Sequence, residues 1–168
     1  MGRLLSLSDF TIRYMQTGVQ STRFDVYIVE AENMDIRKFL GDALFYDFVE
    51  GIASSPQEEI YTNLLNGTTY TCGTDTIEFR GIGEALQYFA YSRYLMDNGL
   101  VHTKTGSVHK TDEFSDRPSN AEIQRKIDQA ESAGRTALDD ARKFLNENFS
   151  SYPLWYNRPK KRSNFRVI

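Results

Sequence analysis

Apolar side chains recur at helical spacing from Thr22 onward. Intervals of three and four residues place them on one side of an α-helix, with acidic residues on the opposite side. The apolar positions are Phe24, Tyr27, Ile28 and Ala31. The pattern therefore predicts an amphipathic first helix, which Asn33 and Asp35 interrupt.

Three short helices are predicted between residues 36 and 65. Gly41 ends the first, because glycine adopts the left-handed backbone of helix C-termini without strain, and Asp42 is placed to cap the second. The second helix stops near Ser54-Ser55-Pro56, and the third covers 57–65. Their apolar positions are Ile36, Phe39, Leu40, Leu44, Phe45, Phe48, Ile52, Ile60, Tyr61, Leu64 and Leu65.

Two short segments, 69–79 and 101–110, carry the alternation and turn residues of β-hairpins. The second has its predicted two-residue turn at Thr105-Gly106, which would place His102 opposite His109. Each hairpin is too small to be stable alone, so we expect both to pack on helices.

Two longer helices complete the predicted fold. Residues 82–98 carry apolar side chains on more than one face, which predicts a central helix that is packed on more than one side. The longest helix covers 120–148, and Ser119 and Glu122 have capping-box spacing at its start. Its stripe is rich in small residues: Ile123, Ile127, Ala130, Gly134, Ala137, Ala141 and Leu145. Such a stripe packs within a bundle or meets another subunit, and the sequence leaves both alternatives open.

The C-terminal segment cannot continue this helix, because Pro153 and Pro159 interrupt it. Three aromatic side chains, Tyr152, Trp155 and Tyr156, precede a run of basic residues. This composition is typical of a segment that docks on a partner. The alternative is that Trp155 packs on the core of its own chain.

The predicted fold is mainly α: a helical bundle with a long C-terminal helix and two small β-hairpins over 1–151, then an extended basic arm over 152–168. The charge distribution supports this division. Residues 158–168 contain five basic side chains and no acid, and the whole chain has a net charge of −3, so residues 1–157 carry −8. An acidic body with a basic tail suggests an interaction tail.

Composition excludes several protein classes. The 168 residues suit one domain, and the single cysteine, Cys72, cannot form an internal disulfide scaffold. No apolar run reaches the roughly 18–20 residues that span a bilayer, so we expect no membrane association. The N-terminus lacks the features of a secretory signal.

His102 and His109 are the best metal candidates in the sequence. Opposed imidazoles could supply two ligands, whereas tetrahedral zinc needs four donors, or three and a water. Asp112 and Glu113 would have to complete the set. Exposed hairpin histidines without a metal are therefore the favoured interpretation, and we predict no cofactor.

The remaining catalytic candidates are weak. Cys72 has no neighbouring base or cation in sequence that would lower the pKa of its thiol. The Gly81-Ile82-Gly83 segment lacks the third glycine of a dinucleotide-binding fingerprint. The adjacent acids Glu58-Glu59 and Asp139-Asp140 project about 100° apart on a helix and do not converge as an acid–base pair. We therefore predict that the protein is not an enzyme.

A set of short motifs follows one order along residues 22–156. In sequence they are Asp35-Ile36, Leu40-Gly41, Leu44 to Phe48, Tyr61-xx-Leu64-Leu65-Asn66-Gly67, Ile77 to Ile82, Ala85-Leu86-xx-Phe89-x-Tyr91-xx-Tyr94, Thr103-x-Thr105-Gly106-x-Val108, Ala133-Gly134, Phe144-Leu145-x-Glu147-Asn148 and Tyr152 to Trp155. This succession resembles the head–tail connector (head-completion adaptor) proteins of tailed bacteriophages. It is most similar to the neck ring proteins of crAss-like phages.

The resemblance implies a mainly helical, non-catalytic virion protein. Such subunits assemble with themselves into a ring, commonly a dodecamer, that binds the portal protein, extends the DNA channel and provides a platform for the next neck or tail protein. Genomic DNA would pass through the lumen without sequence-specific binding. The protein would be made in the host cytoplasm and reside in the virion neck, between portal and tail.

The resemblance also implies a role for the arm, residues 152–168, in engaging the portal or a neighbouring subunit. Trp155 would be its apolar anchor. The candidate partner-binding residues are Tyr152, Trp155, Tyr156, Arg158, Lys160, Lys161, Arg162 and Arg166.

The alternative function is a DNA-associated helical module that uses the basic tail. Lys and Arg neutralise backbone phosphates without reading sequence. The tail contains a single aromatic residue, Phe165, and no second basic patch accompanies it. The ring subunit is therefore the main hypothesis.

Overall fold

The computed structural model describes residues 4–5, 21–98, 101–103, 106–108 and 120–156. The helices are α1 (Ser21–Ala31), α2 (Arg37–Leu40), α3 (Asp42–Ala53), α4 (Glu59–Asn66), α5 (Ile82–Asn98) and α6 (Asn120–Glu147). Two antiparallel ladders pair β1 (Thr68–Cys72) with β2 (Asp75–Phe79), and β3 (Val101–Thr103) with β4 (Gly106–Val108). The predicted mainly α-helical fold with a long C-terminal helix and small hairpins is confirmed.

The first helix does not stop at Asn33 and Asp35. Residues Glu32–Ile36 form a π-helical turn that joins α1 directly to α2. The side chain of Asn33 donates a 2.8 Å hydrogen bond to the carbonyl of Val29, so it bonds to the preceding turn instead of breaking the helix. The predicted interruption is therefore wrong, because the backbone passes through Asn33 and Asp35 as a widened π-helical turn and remains helical.

Gly41 ends α2 as predicted, with a φ of 77° and an N–H that donates to the carbonyl of Arg37. The prediction that Asp42 caps α3 is wrong, because its carboxylate accepts a 2.7 Å hydrogen bond from Nε of Arg37 instead. This hydrogen bond and the charge of Arg37 hold the pKa of Asp42 below its ordinary value. An ion pair across Gly41 thus fixes the turn between the two helices.

Helix α5 is the centre of the bundle, as predicted from its apolar faces. It packs against α1, the π-helical turn, α4 and α6. Its buried hydrophobic side chains are Ile82, Ala85, Leu86, Phe89 and Ala90. Contacts on several sides therefore bury most of its circumference.

The small residues of α6 bring this helix close to α5. Ala130, Gly134, Ala137 and Ala141 are all buried. A Cβ added at Gly134 would lie 2.9 Å from Cζ of Phe89, so the ring occupies the space that a side chain would need. Of the two alternatives for this stripe, packing within the bundle is the one observed.

The register of the second hairpin differs from the prediction. Thr103 pairs with Gly106 and His102 pairs with Ser107, not with His109. Gly106 lies inside β4 rather than in the turn, and since the pairs of a ladder are linked, each residue of β3 pairs two positions earlier than predicted. The remaining members of the candidate metal set (His109, Asp112 and Glu113) and the predicted cap Ser119 lie outside the described residues.

Candidate functional site

The chain turns back over the core after α6, where the sequence predicted the start of an extended arm. Tyr152 is 3 % exposed, and its hydroxyl donates a 2.7 Å hydrogen bond to the carbonyl of Ile60. Its ring meets that of Phe144 edge to face, with centroids 5.7 Å apart. Burial raises the pKa of Tyr152 above its ordinary range.

Trp155 is also buried and is 1 % exposed. Its indole Nε1 donates to Oδ1 of Asn146 at 2.9 Å, and its ring lies 5.3 Å from that of Phe39. The alternative in which Trp155 packs on its own core is therefore the one observed. The predicted boundary between the helical domain and the arm, at Tyr152, does not coincide with the edge of the core. The side chains of Tyr152 and Trp155 both belong to the main hydrophobic core.

Tyr156 is the exposed member of the three aromatic candidates, with 59 % of its surface accessible. Its ring lies 5.4 Å from that of Trp155 and covers Gly41, where an added Cβ would lie 3.0 Å from Cδ1 of the tyrosine. The basic candidates, which are Arg158, Lys160, Lys161, Arg162 and Arg166, lie outside the described residues. Their partner-binding role stays a prediction.

A groove of about 510 Å³ opens beside Tyr156. The π-helical turn, α2, the second half of α5 and the middle of α6 form its walls. We call it the cationic groove. Its lining residues are Met34, Asp35, Lys38, Phe39, Phe89, Ser92, Arg93, Met96, Glu131, Arg135, Leu138, Arg142 and Tyr156.

Among the described residues of this lining, four cations outnumber two carboxylates. Arg93 is the most enclosed cation; its side chain is 20 % exposed, and its Nη1 lies 2.6 Å from Oδ2 of Asp35. Arg135 pairs with Glu131 at 2.8 Å but stays 72 % exposed. Arg142 lies 2.5 Å from Asp139, which is not part of the lining, so three of the four cations are in ion pairs and the exposed Lys38 is the fourth. The described lining keeps a modest excess of positive charge on a body whose sequence is acidic.

The groove also exposes large apolar side chains. Met34 is 63 % exposed and Met96 is 45 % exposed, and Tyr156 stands beside them. Flexible methionines adapt to irregular partners, and aromatic, Met and Arg side chains are enriched at protein interfaces. The arrangement is therefore suited to docking another protein segment.

No linear motif could have identified this groove, because its walls come from three separate parts of the chain. A weaker signal exists on α5, where Phe89, Arg93 and Met96 share one helix face by their spacing of four and three. Arg135, Leu138 and Arg142 have a similar spacing on α6. Basic residues mixed into the apolar face of a helix indicate such a surface, although they do not show which helices meet.

A second groove of about 420 Å³ lies between α5 and the first half of α6. Tyr88, Tyr91, Lys126, Gln129, Ala130 and Ala133 line it. Its lining contains one charged side chain, so it lacks the charge excess of the cationic groove.

The catalytic and metal candidates are not assembled into a site by the described part of the chain. The carboxylate of Glu147 raises the pKa of the Cys72 thiol, mainly through its negative charge, which opposes thiolate formation. Gly81 packs tightly, since a Cβ there would lie 2.3 Å from the carbonyl oxygen of Leu65. Across the described ranges, no cluster of three or more His, Cys, Asp or Glu side chains is placed to hold a metal ion.

The two pairs of adjacent acidic residues do not form acid–base pairs in the structure. Asp139 and Asp140 form ion pairs with Arg142 and Lys143, at 2.5 and 3.0 Å. Glu58 and Glu59 are exposed before and at the start of α4. These carboxylates therefore lie on solvated surfaces, as their spacing predicted.

Comparison with known proteins gives one match. Residues 36–165 match a family model described as a family of unknown function (DUF6712). No curated protein and no solved structure matches the chain. Of the helices that the structure describes, none combines the length and the apolar composition needed to cross a membrane.

Proposed function

The chain belongs to the DUF6712 family, and because that family is described as one of unknown function, we propose a function from the chain's own sequence and surface. We propose that the protein is a structural subunit of a ring in the head–tail connector of a tailed bacteriophage. In this role it binds other copies of itself, the portal protein and the next neck or tail protein, and the ring extends the DNA channel.

The cationic groove is the observation that carries the proposal. A subunit whose function is assembly must offer surfaces that remain incomplete in the isolated chain. Met34, Met96 and Tyr156 are exposed together in a concave site with excess positive charge. Large exposed apolar side chains grouped at one place mark interaction sites rather than ordinary surface.

The fold and the order of sequence motifs add support. The resemblance to connector proteins spans residues 22–156 and implies a mainly helical subunit, which agrees with the observed helices. Tyr152 and Trp155 hold the start of the C-terminal segment on the body. Tyr156 lines the cationic groove, and the five basic residues follow it in the sequence.

The experiment is to image the purified full-length protein by negative-stain electron microscopy, alone and mixed with its portal. Mass photometry supplies the copy number. We expect closed rings, or rings that form on the portal, and a Met34→Ser/Met96→Ser variant that assembles less well than an Ile77→Ser control on the hairpin. A protein that stays monomeric and ignores the portal would contradict the proposal.

A second candidate function rests on the basic tail alone. Its five cations and absence of acids would favour sequence-independent contact with DNA phosphates. Binding to duplex DNA at increasing salt, with and without residues 158–168, tests this function. Absence of DNA binding at low salt by the intact chain removes it and leaves the ring proposal untouched.

A further inference from the structure

We propose that the cationic groove of one copy receives the acidic loop, residues 54–60, of a second copy of this chain. This inference rests on the proposed function and identifies the contact between neighbouring ring subunits. The contact is head to tail, because it uses two different surfaces of the same chain. Repeated head-to-tail contacts generate a ring when the rotation between copies closes.

The acidic loop follows α3 and includes the first two residues of α4, Glu59 and Ile60. Residues 55–60 are all exposed. The single O–H of Ser54 is shared between two carbonyl oxygens, with the hydroxyl oxygen 2.7 Å from that of Gly51 and 2.9 Å from that of Pro56, which fixes the start of the loop. An ordered loop loses less conformational entropy when it docks than a flexible one.

Two carboxylates of the loop are available for a partner. Glu58 and Glu59 are exposed, and across the described ranges no Lys or Arg side chain forms an ion pair with either. Ile60 follows them and is 36 % exposed. The loop thus combines free negative charge with an adjacent apolar side chain.

The cationic groove has the complementary properties. Its lining carries more cations than carboxylates, and Lys38 is exposed at one wall while Arg135 is exposed at another. Met34 and Met96 provide an adaptable apolar surface for Ile60. Complementary charge favours encounter and orientation, and apolar contact excludes water from the centre.

The two surfaces lie at opposite ends of α3. Gly41 precedes α3 and faces the ring of Tyr156 at the groove, where an added Cβ would lie 3.0 Å from Cδ1, whereas the acidic loop follows Ala53 at the other end of the helix. A helix of 12 residues is about 18 Å long. One chain cannot place its own loop in its own groove across that distance, so the contact joins two copies.

Other occupants fit less well. The basic tail follows Tyr156 in the sequence, but its five cations would meet a described lining that already has more cations than carboxylates. A phosphate group would find cations, but it would leave Met34 and Met96 without an apolar partner. An acidic and apolar protein segment satisfies both properties of the groove.

Complementary charge-reversal variants of the full-length protein test the contact. The groove variant is Lys38→Glu/Arg135→Glu, and the loop variant is Glu58→Lys/Glu59→Lys. A matched control, Asp75→Lys/Glu78→Lys, makes the same charge change as the loop variant on exposed positions of the first hairpin. Mass photometry measures the concentration at which half of the protein is assembled.

We expect each variant to need at least a tenfold higher concentration for assembly, while the control behaves as wild type. An equimolar mixture of the groove and loop variants should assemble with the two variants alternating, because the unchanged loop fits the unchanged groove and the reversed loop fits the reversed groove. The chain with all four reversals should assemble again, since the charges are complementary in the reversed sense. Recovery in the mixture would show that the groove variant and the loop variant are each folded.

Two outcomes overturn the inference while leaving the ring proposal in place. One is that the wild-type protein assembles and both variants do so equally well. The other is that both variants fail and neither the mixture nor the fourfold variant recovers, which indicates a general effect of charge. A wild-type protein that never assembles, alone or on portal, removes the proposed function and this inference together.

Discussion

The indole of Trp155 is tied to Asn146 by a 2.9 Å hydrogen bond, which joins the end of the described chain to the last turns of α6. The side chain of Trp155 is 1 % exposed, and its indole packs against the ring of Phe39 in α2. Residues that are far apart in sequence thus close the core at this point. The aromatic side chain holds the C-terminal segment on the body, where the interaction surfaces of the proposed ring subunit begin.

Removing this anchor should destabilise the whole subunit. We expect Trp155→Ala to lower the free energy of unfolding by about 3–5 kcal/mol, because it leaves a cavity and removes buried apolar area. The neighbouring Leu154→Ala is the control, since Leu154 is 43 % exposed. Urea denaturation followed by circular dichroism measures both, and equal midpoints for the two variants would contradict the packing described.

The ring of Phe89 on α5 occupies the space that a side chain at Gly134 of α6 would need. A Gly134→Val side chain would collide with the ring of Phe89, so we expect a loss of about 1–3 kcal/mol from overpacking. Ser132→Val tests the same β-branched residue at an exposed position of the same helix. Thermal unfolding compares the two, and Phe89→Leu in the Gly134→Val chain should recover part of the loss. If Phe89→Leu restores none of the stability lost in Gly134→Val, the loss does not come from a collision with the Phe89 ring.

Stability should fall at alkaline pH through Tyr152. Burial raises the pKa of Tyr152 in the folded protein, whereas an unfolded tyrosine ionises at about 10. Because the raised pKa belongs to the folded state, its stabilising contribution is complete below about pH 10 and is lost as the pH rises through the folded pKa.

The variant Tyr152→Phe isolates this effect. It removes the hydrogen bond to Ile60, which should cost about 1 kcal/mol at neutral pH. Its stability should then decline less steeply than that of the wild type above about pH 10. Urea midpoints across this range measure the slope, with the exposed Tyr46→Phe as a control for loss of one phenol. Parallel pH profiles for Tyr152→Phe and wild type would refute the assignment.

Cys72 should react slowly for its degree of exposure. The Glu147 carboxylate raises the pKa of the thiol by its negative charge, with smaller effects from burial and a hydrogen bond. Replacement Glu147→Gln should lower that pKa and accelerate the reaction with an aromatic disulfide reagent. The single cysteine makes the measurement direct. Glu50→Gln, on exposed α3 surface, should leave the rate unchanged, and an unchanged rate in Glu147→Gln as well would show that the carboxylate has no influence.

Local patterns in the sequence were enough to predict most of the helices. The bounds of α5 were predicted as 82–98 and observed as Ile82–Asn98. Gly41 was correctly placed at the end of α2, and α6 differs from its prediction by one residue. These features depend on amphipathic spacing and backbone preference. Both act between residues within a few helical turns, so a short stretch of sequence is enough to predict them.

Tertiary structure alone decided which surfaces the elements bury and which they leave open. The carboxylate of Asp42 pairs with Arg37 instead of capping a helix, and Trp155 enters the core instead of leading a free arm. The cationic groove exists only because α2, α5 and α6 meet beside Tyr156. Such outcomes depend on the free energy of contacts between distant residues, in which packing and desolvation outweigh local preference.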